Sequence, residues 1–172
     1  ISQSISNGDI INPKFKLRIK SVKASSLPIP YTLYAFPISQ SWIMGNGYWS
    51  DGGSDIGVSW FYKNELSGAL WYLPISSSRY VIDYITYPNL TNEIFARGGG
   101  TWYTSSVCSQ SFNYEASDVN MDVTPIVNLW LNGTYPNEGF IIVTSDELTS
   151  VNSNSDIEFF SKDTNTIYWP TL

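Results

Sequence analysis

This 172-residue chain contains no histidine and a single cysteine, Cys108. The first absence removes the commonest general acid or base, the commonest metal ligand and every Ser-His or Cys-His nucleophile pair. The second excludes an intrachain disulfide and a cysteine-rich metal site. Charge is sparse as well. Only 14% of residues are Asp, Glu, Lys or Arg, against about a quarter in a typical soluble domain. The solvated surface must therefore be built largely from Ser, Thr, Asn, Gly and Tyr, as in extracellular proteins, sugar binders and assembly interfaces. No run approaches the ~18 apolar residues of a membrane-spanning helix, and no signal-peptide pattern is visible. The first residue is Ile1 rather than Met, which reads as a processed product or a fragment of something longer.

Aromatic residues, by contrast, make up 16% of the chain and apolar residues 42%. Disorder is excluded on that count, and the length fits one domain with a sizeable core. The net charge of −6 argues against nucleic-acid binding. It is unevenly spread. Lys14, Lys16, Arg18, Lys20 and Lys23 stand against one acid, Asp9, in the first 23 positions, while the remainder holds four basic and fourteen acidic residues. One reading is an exposed strand whose lysines discourage edge pairing. The other is a docking edge for an acidic partner, carried by Lys14, Lys16, Arg18 and Lys20.

Residues 1–12 look like a linker or N-terminal extension to a single β-domain over 13–172. Phe15, Leu17, Ile19 and Val22 fall nearly on one face with Lys16, Arg18 and Lys20 opposite, the mark of a half-buried strand. Tyr31–Ile38 is apolar on both faces, hence a central strand. Further strands are expected at Gly57–Tyr62, Ala69–Leu73, Tyr80–Thr86, Gln110–Tyr114, Phe140–Thr144, Ile157–Phe160 and Thr166–Trp169. Such short strands at regular spacing indicate a sandwich or barrel.

One helix interrupts them. Thr124 suits an N-cap and Pro125 the first helical position. Ile126, Val127, Trp130 and Leu131 follow at helical spacing, and Gly133 can end the helix in a left-handed conformation. Asp122 is placed to accept backbone amides at the helix start, and Asn137 to turn the chain back into a strand.

Several stretches together resemble one family. They are Phe15-Lys-Leu-Arg-Ile, Tyr31–Trp42 with Met44-Gly-Asn-Gly47, and Gly57-Val-Ser-Trp60. Further on come Gly98-Gly-Gly-Thr-Trp-Tyr103, the Asp122–Gly139 helix crossing and Phe159–Leu172, the last two being the most specific. The whole resembles a virion structural domain of tailed bacteriophages built on the DNRLRE-like β-sandwich, over most of residues 15–172. The resemblance implies a jelly-roll-like antiparallel β-sandwich with one short crossing helix near 125–131, displayed in an extracellular particle, without catalysis. Its partners would be other virion proteins in a symmetric homo-oligomer or larger assembly. Residues 64–97 match the pattern poorly and read as a local insertion. Family members usually continue past the final strand, whereas this chain stops at Leu172.

Candidate chemistry is thin. Asp51 and Asp55 flank two glycines and could form a Ca²⁺ loop, or a turn in which Asp and Gly satisfy the backbone; EF-hand spacing is absent, and no other cofactor is expected. No two acids are paired by the sequence as a glycosidase requires. Trp60, Trp71 and Trp130 occupy apolar positions and read as core. Trp42, Trp49, Trp102 and Trp169 lie beside Gly, Ser or Pro breaks. Trp42, Tyr48, Trp49 and Trp102 therefore form the candidate surface for a carbohydrate-binding module of a secreted or cell-surface protein, the reading that competes with a virion building block. Binding of host glycan would be compatible with either.

Overall fold

Alternating apolar and polar residues set the strands, and their pairings bring distant segments together. The computed structural model describes residues 2–25, 30–45, 57–59, 62–71, 101–114, 118–144, 156–163 and 165–172. The elements are α1 (Ser2–Ser6), β1 (Lys16–Ile19), β2 (Ser21–Ser25), β3 (Tyr31–Pro37), β4 (Tyr62–Asn64), β5 (Ala69–Leu70), β6 (Cys108–Phe112), β7 (Val119–Asp122), α2 (Thr124–Leu131), β8 (Phe140–Thr144) and β9 (Asp156–Phe159). The described fold is all-β and antiparallel, in sandwich-like sheets rather than a closed barrel, with two short helices. Two compact units are present: Ile1–Pro37 with Thr104–Leu172, and Ile38–Tyr103. The second lies within residues 13–172, expected as one domain, and the first also takes in residues 1–12. Residues 2–6, expected as linker, form α1.

In the first unit, β3 lies between β6 and β8, as its two apolar faces require. Beside this sheet β1 pairs with β7 and β2 with β9. The core gathers Tyr31, Leu33 and Ala35 from β3 with Cys108 and Phe112 from β6. Leu17, Val119 and Met121 join from the β1/β7 ribbon, and Ile126 and Val127 from α2. Burying a side chain such as Met121 or Ile126 stabilises the fold by about 1.5–3 kcal/mol. Tyr31 stacks on Phe112 with ring centres 4.9 Å apart.

Val22, expected on the buried face, is exposed. The chain leaves β7 after Ile19 and joins β9, and an irregularity between Ser21 and Lys23 resets the alternation. Thr166–Trp169, expected as a strand, is not one. The Thr166 hydroxyl takes the Tyr168 amide at 3.2 Å, a local bond that competes with a ladder. This tail pairs at Thr171, which exchanges two 2.9 Å hydrogen bonds with Arg18. The strand expected over Gln110–Tyr114 starts earlier, at Cys108, and leaves Tyr114 exposed. β8 occupies the expected Phe140–Thr144 and β9 is shifted by one residue from Ile157–Phe160.

Two side chains knit this unit across long stretches of chain. Gln110 accepts the Asn120 amide at 2.8 Å and donates to the Asp118 carbonyl at 3.4 Å, so its amide serves β7 as a strand's peptide would. At the start of α2 the N-cap position is Val123, and Thr124 is already helical. Its hydroxyl is not a cap. It accepts the Phe15 amide at 2.9 Å, while the Phe15 carbonyl takes the Val123 amide at 2.9 Å. Asp122 accepts the Thr124 amide at 3.0 Å. At the far end Gly133 adopts φ +74° and Asn137 accepts the Gly139 amide at 3.3 Å. Trp130 packs against Phe140, and its buried indole N–H finds no acceptor among the described residues.

In the second unit β4 and β5 form a hairpin. Its turn is held by Asn64, which accepts the Ser67 amide at 3.2 Å. Trp71 is buried, as expected for core, and donates to the Ser59 carbonyl at 3.2 Å. Gly57–Ser59 is not a strand. Gly57 passes so close to residue 44 that a Cβ would meet the Met44 carbonyl oxygen at 2.6 Å. Trp60 and the strand expected at Tyr80–Thr86 lie outside the described residues.

Two substitutions probe the α2 crossing. Thr124→Val keeps the shape but strips the Phe15 amide of its acceptor, at a cost of about 1–3 kcal/mol. Gly133→Val forces a branched side chain into a left-handed backbone, at about 1–2 kcal/mol. Urea denaturation should show both losses; unchanged midpoints would contradict the tie and the turn.

Candidate functional site

Alternation places Lys16 and Arg18 on the outward face of β1, with Leu17 buried beneath them. Register then decides what they meet. Lys16 stands opposite Asp122 and Arg18 opposite Asn120. Lys20, just past the strand, reaches Asp118 at 2.6 Å. Lys23 stands opposite Glu158 on β9. The row that is basic in sequence is thus a mixed-charge face, answered by acids about a hundred residues downstream. Lys14 is exposed ahead of β1, and its charge with that of Lys16 helps hold Asp122 below the usual carboxylate range, after the Thr124 hydrogen bonds.

Of the expected aromatic surface, Trp42 and Trp102 are among the described residues. Both are half-buried in the second unit. Trp102 bridges Ile38, beside a Ser39–Thr101 contact in which the hydroxyls meet at 2.9 Å. Tyr48, Trp49, Asp51 and Asp55 lie outside the described residues. Among the described residues no group of three or more His, Cys, Asp or Glu could hold a metal, and no helix is long and apolar enough to cross a membrane.

A different site emerges in the first unit. Lys20, Ser21, Asp118, Phe160 and Tyr168 line an open groove of about 310 Å³. The β1–β2 junction supplies Lys20 and Ser21, and the residue before β7 supplies Asp118. Phe160 follows β9 and is fixed by donating its amide to the Lys20 carbonyl at 3.0 Å. Tyr168 comes from the tail that Thr171 fastens to Arg18, and it packs on Phe160 with ring centres 5.3 Å apart. The Asp118 carboxylate takes Lys20 on one oxygen and the Ser21 amide, at 3.1 Å, on the other. The Lys20 hydrogen bond first, then that amide and the lysine charge, hold its carboxyl below the usual range. Beside the groove the uncharged tail exposes Ile167, Trp169 and Leu172. Sequence reasoning singled out Lys20 and Trp169 but not Asp118, Phe160 or Tyr168. Nothing local marks Asp118; the Ile-Tyr-Trp run of the tail was the visible signal.

Two further groups belong to structure. Cys108 is buried in β6, and burial, the largest cause, raises its thiol pKa. The Tyr135 hydroxyl meets those of Ser105 and Ser106 at 3.2 and 3.5 Å; these bonds lower its pKa and tie the 104–106 turn to the segment after α2.

Compared with known proteins, the chain matches no family model, no curated protein and no solved structure.

Two measurements test these electrostatics. Iodoacetamide at mildly alkaline pH should leave Cys108 of the folded protein unmodified while urea-unfolded chain is alkylated fully; equal rates would contradict the buried thiol. A carboxylate depressed in the folded state adds stability above its unfolded value, lost as pH falls through the folded one. Thermal melting followed from neutral pH to below roughly pH 4 should therefore fall less in Asp118→Asn than in the parent. The pair is half-exposed, so the difference should stay under about 1 kcal/mol and shrink with salt. Parallel curves would count against the pair.

Proposed function

We propose that this chain is a non-enzymatic structural domain of a bacteriophage particle, a β-sandwich that makes protein–protein contacts with other virion proteins in a symmetric assembly. The observation that carries the reading is the role of Asp122–Gly139. This stretch bears much of the phage-family resemblance, and here it forms the crossing that ties α2 to β1, with Ile126 and Val127 fully or nearly buried. A side chain at these positions serves the scaffold rather than a reaction. The exposed tail residues Ile167, Trp169 and Leu172, large apolar side chains on a stretch with no charged side chain, suit a partner interface.

The basic row contributes to that interface through Lys14 and Arg18. Lys16 and Lys20 already face acids of their own chain, so reversing them would disturb the fold as well as any contact.

Mass spectrometry of purified particles from a culture carrying the gene should find this chain in many copies. Lys14→Glu with Arg18→Glu should lower its incorporation several-fold while melting stays unchanged. Absence from particles would overturn the assignment, and full incorporation of the double variant would remove the basic row from the interface.

A further inference from the structure

The groove at the β1–β2 junction combines two features that the assembly role does not call for. One wall is aromatic: Tyr168, 45% exposed, is braced from behind by Phe160. The other is the Lys20–Asp118 pair, with both side chains about half exposed. The pair is held from three directions. Lys20 reaches it at 2.6 Å, the Ser21 amide fixes the second carboxylate oxygen at 3.1 Å, and the Lys20 carbonyl is engaged by Phe160.

The remaining hydrogen-bonding capacity defines the ligand. An ammonium has three donors and Asp118 uses one, leaving two. The carboxylate has four acceptor positions, and Lys20, the Ser21 amide and the Ser21 hydroxyl draw on three, leaving one. The groove therefore presents donors and an acceptor side by side with no net charge. Lys20 and Asp118 already balance each other's charge, so the groove offers an anion or a cation no net attraction to offset the water it would lose. A ligand carrying adjacent hydroxyls, each both donor and acceptor, satisfies the site without breaking the pair. If that ligand also has an apolar face, it covers the tyrosine ring. A pyranose has both properties, and the volume of about 310 Å³ lies at the lower end of small-ligand sites, which begin at about 300 Å³.

We propose that Lys20, Asp118 and Tyr168 form a binding subsite for one sugar ring of a neutral glycan, with Tyr168 stacking on the ring and the ion pair gripping vicinal hydroxyls. None of Trp42, Tyr48, Trp49 and Trp102 is among the lining residues, and the proposal stands whether or not the chain belongs to a particle.

The test is an amide chemical-shift titration of the isotope-labelled chain with maltohexaose, cellohexaose and chitohexaose, and with oligogalacturonate as an anionic comparison. At least one neutral oligosaccharide should shift the amides of Lys20, Ser21, Phe160 and Tyr168 at millimolar concentration. Tyr168→Ala should weaken that binding about tenfold, the worth of one aromatic stack, with only a small change in melting because nearly half of the residue faces solvent. Lys20→Met, which discards the donors and keeps the stem, should weaken it comparably. No shift with any neutral oligosaccharide, shifts that bypass these residues, shifts that survive Tyr168→Ala, or preference for oligogalacturonate would each overturn the proposal. Particle incorporation is read separately, so failure here leaves the assembly result untouched.

Discussion

The first unit depends on one reciprocal tie between residues 109 positions apart in sequence. The Phe15 amide is held by the Thr124 hydroxyl, and the Phe15 carbonyl holds the Val123 amide. These are buried or half-buried polar groups, for which a missing partner costs more than the bond itself contributes. The tie fixes where α2 starts relative to β1. That in turn sets Ile126 and Val127 into the core and aligns Leu17 with Met121 across the ribbon. Asp122 completes the corner by accepting the Thr124 amide. The sequence places four chemically different residues in a row here, Asp-Val-Thr-Pro, and each takes a separate duty.

The same register that seals the core also cancels charge. Lys20 pairs with Asp118, and Lys16 and Lys23 stand opposite Asp122 and Glu158 in the strand register, so part of the N-terminal basic excess is answered by the folded chain itself. Exposed pairs of this kind contribute little stability individually. Their larger effect is on what the face can bind, since a surface of matched charges has little long-range pull on an acidic partner. The groove at Lys20 is the local extreme of this pattern, a paired site with an aromatic wall.

Fold class was legible because it rests on local periodicity. The two-faced apolar run of Tyr31–Ile38 announced a central strand, Phe140–Thr144 read as another strand, and Gly133 and Asn137 as turns, while the pairing of the two strands is visible only in the fold. Errors arose where local chemistry competes with pairing. Thr166 captures the Tyr168 amide and stops a strand, the irregularity at Ser21–Lys23 turns Val22 outward, and Thr124 serves Phe15 in preference to its own helix. The groove was illegible for another reason. Asp118 and Tyr168 are joined to Lys20 only through the pairing of β1 with β7 and with Thr171, and no spacing in the sequence encodes that meeting.

Gln110 has a consequence for how this unit meets other chains. A strand that lends its outer amides and carbonyls can recruit a foreign strand and extend its sheet. At Asn120 and Asp118 those groups are occupied by a side-chain amide that imitates a peptide but has no chain to continue. On the other side of the ribbon, Arg18 is closed in the same manner by Thr171. The β1/β7 ribbon is thereby terminated at both of these positions. Growth by sheet extension is blocked at those positions, so at this ribbon only side chains are left to meet another chain.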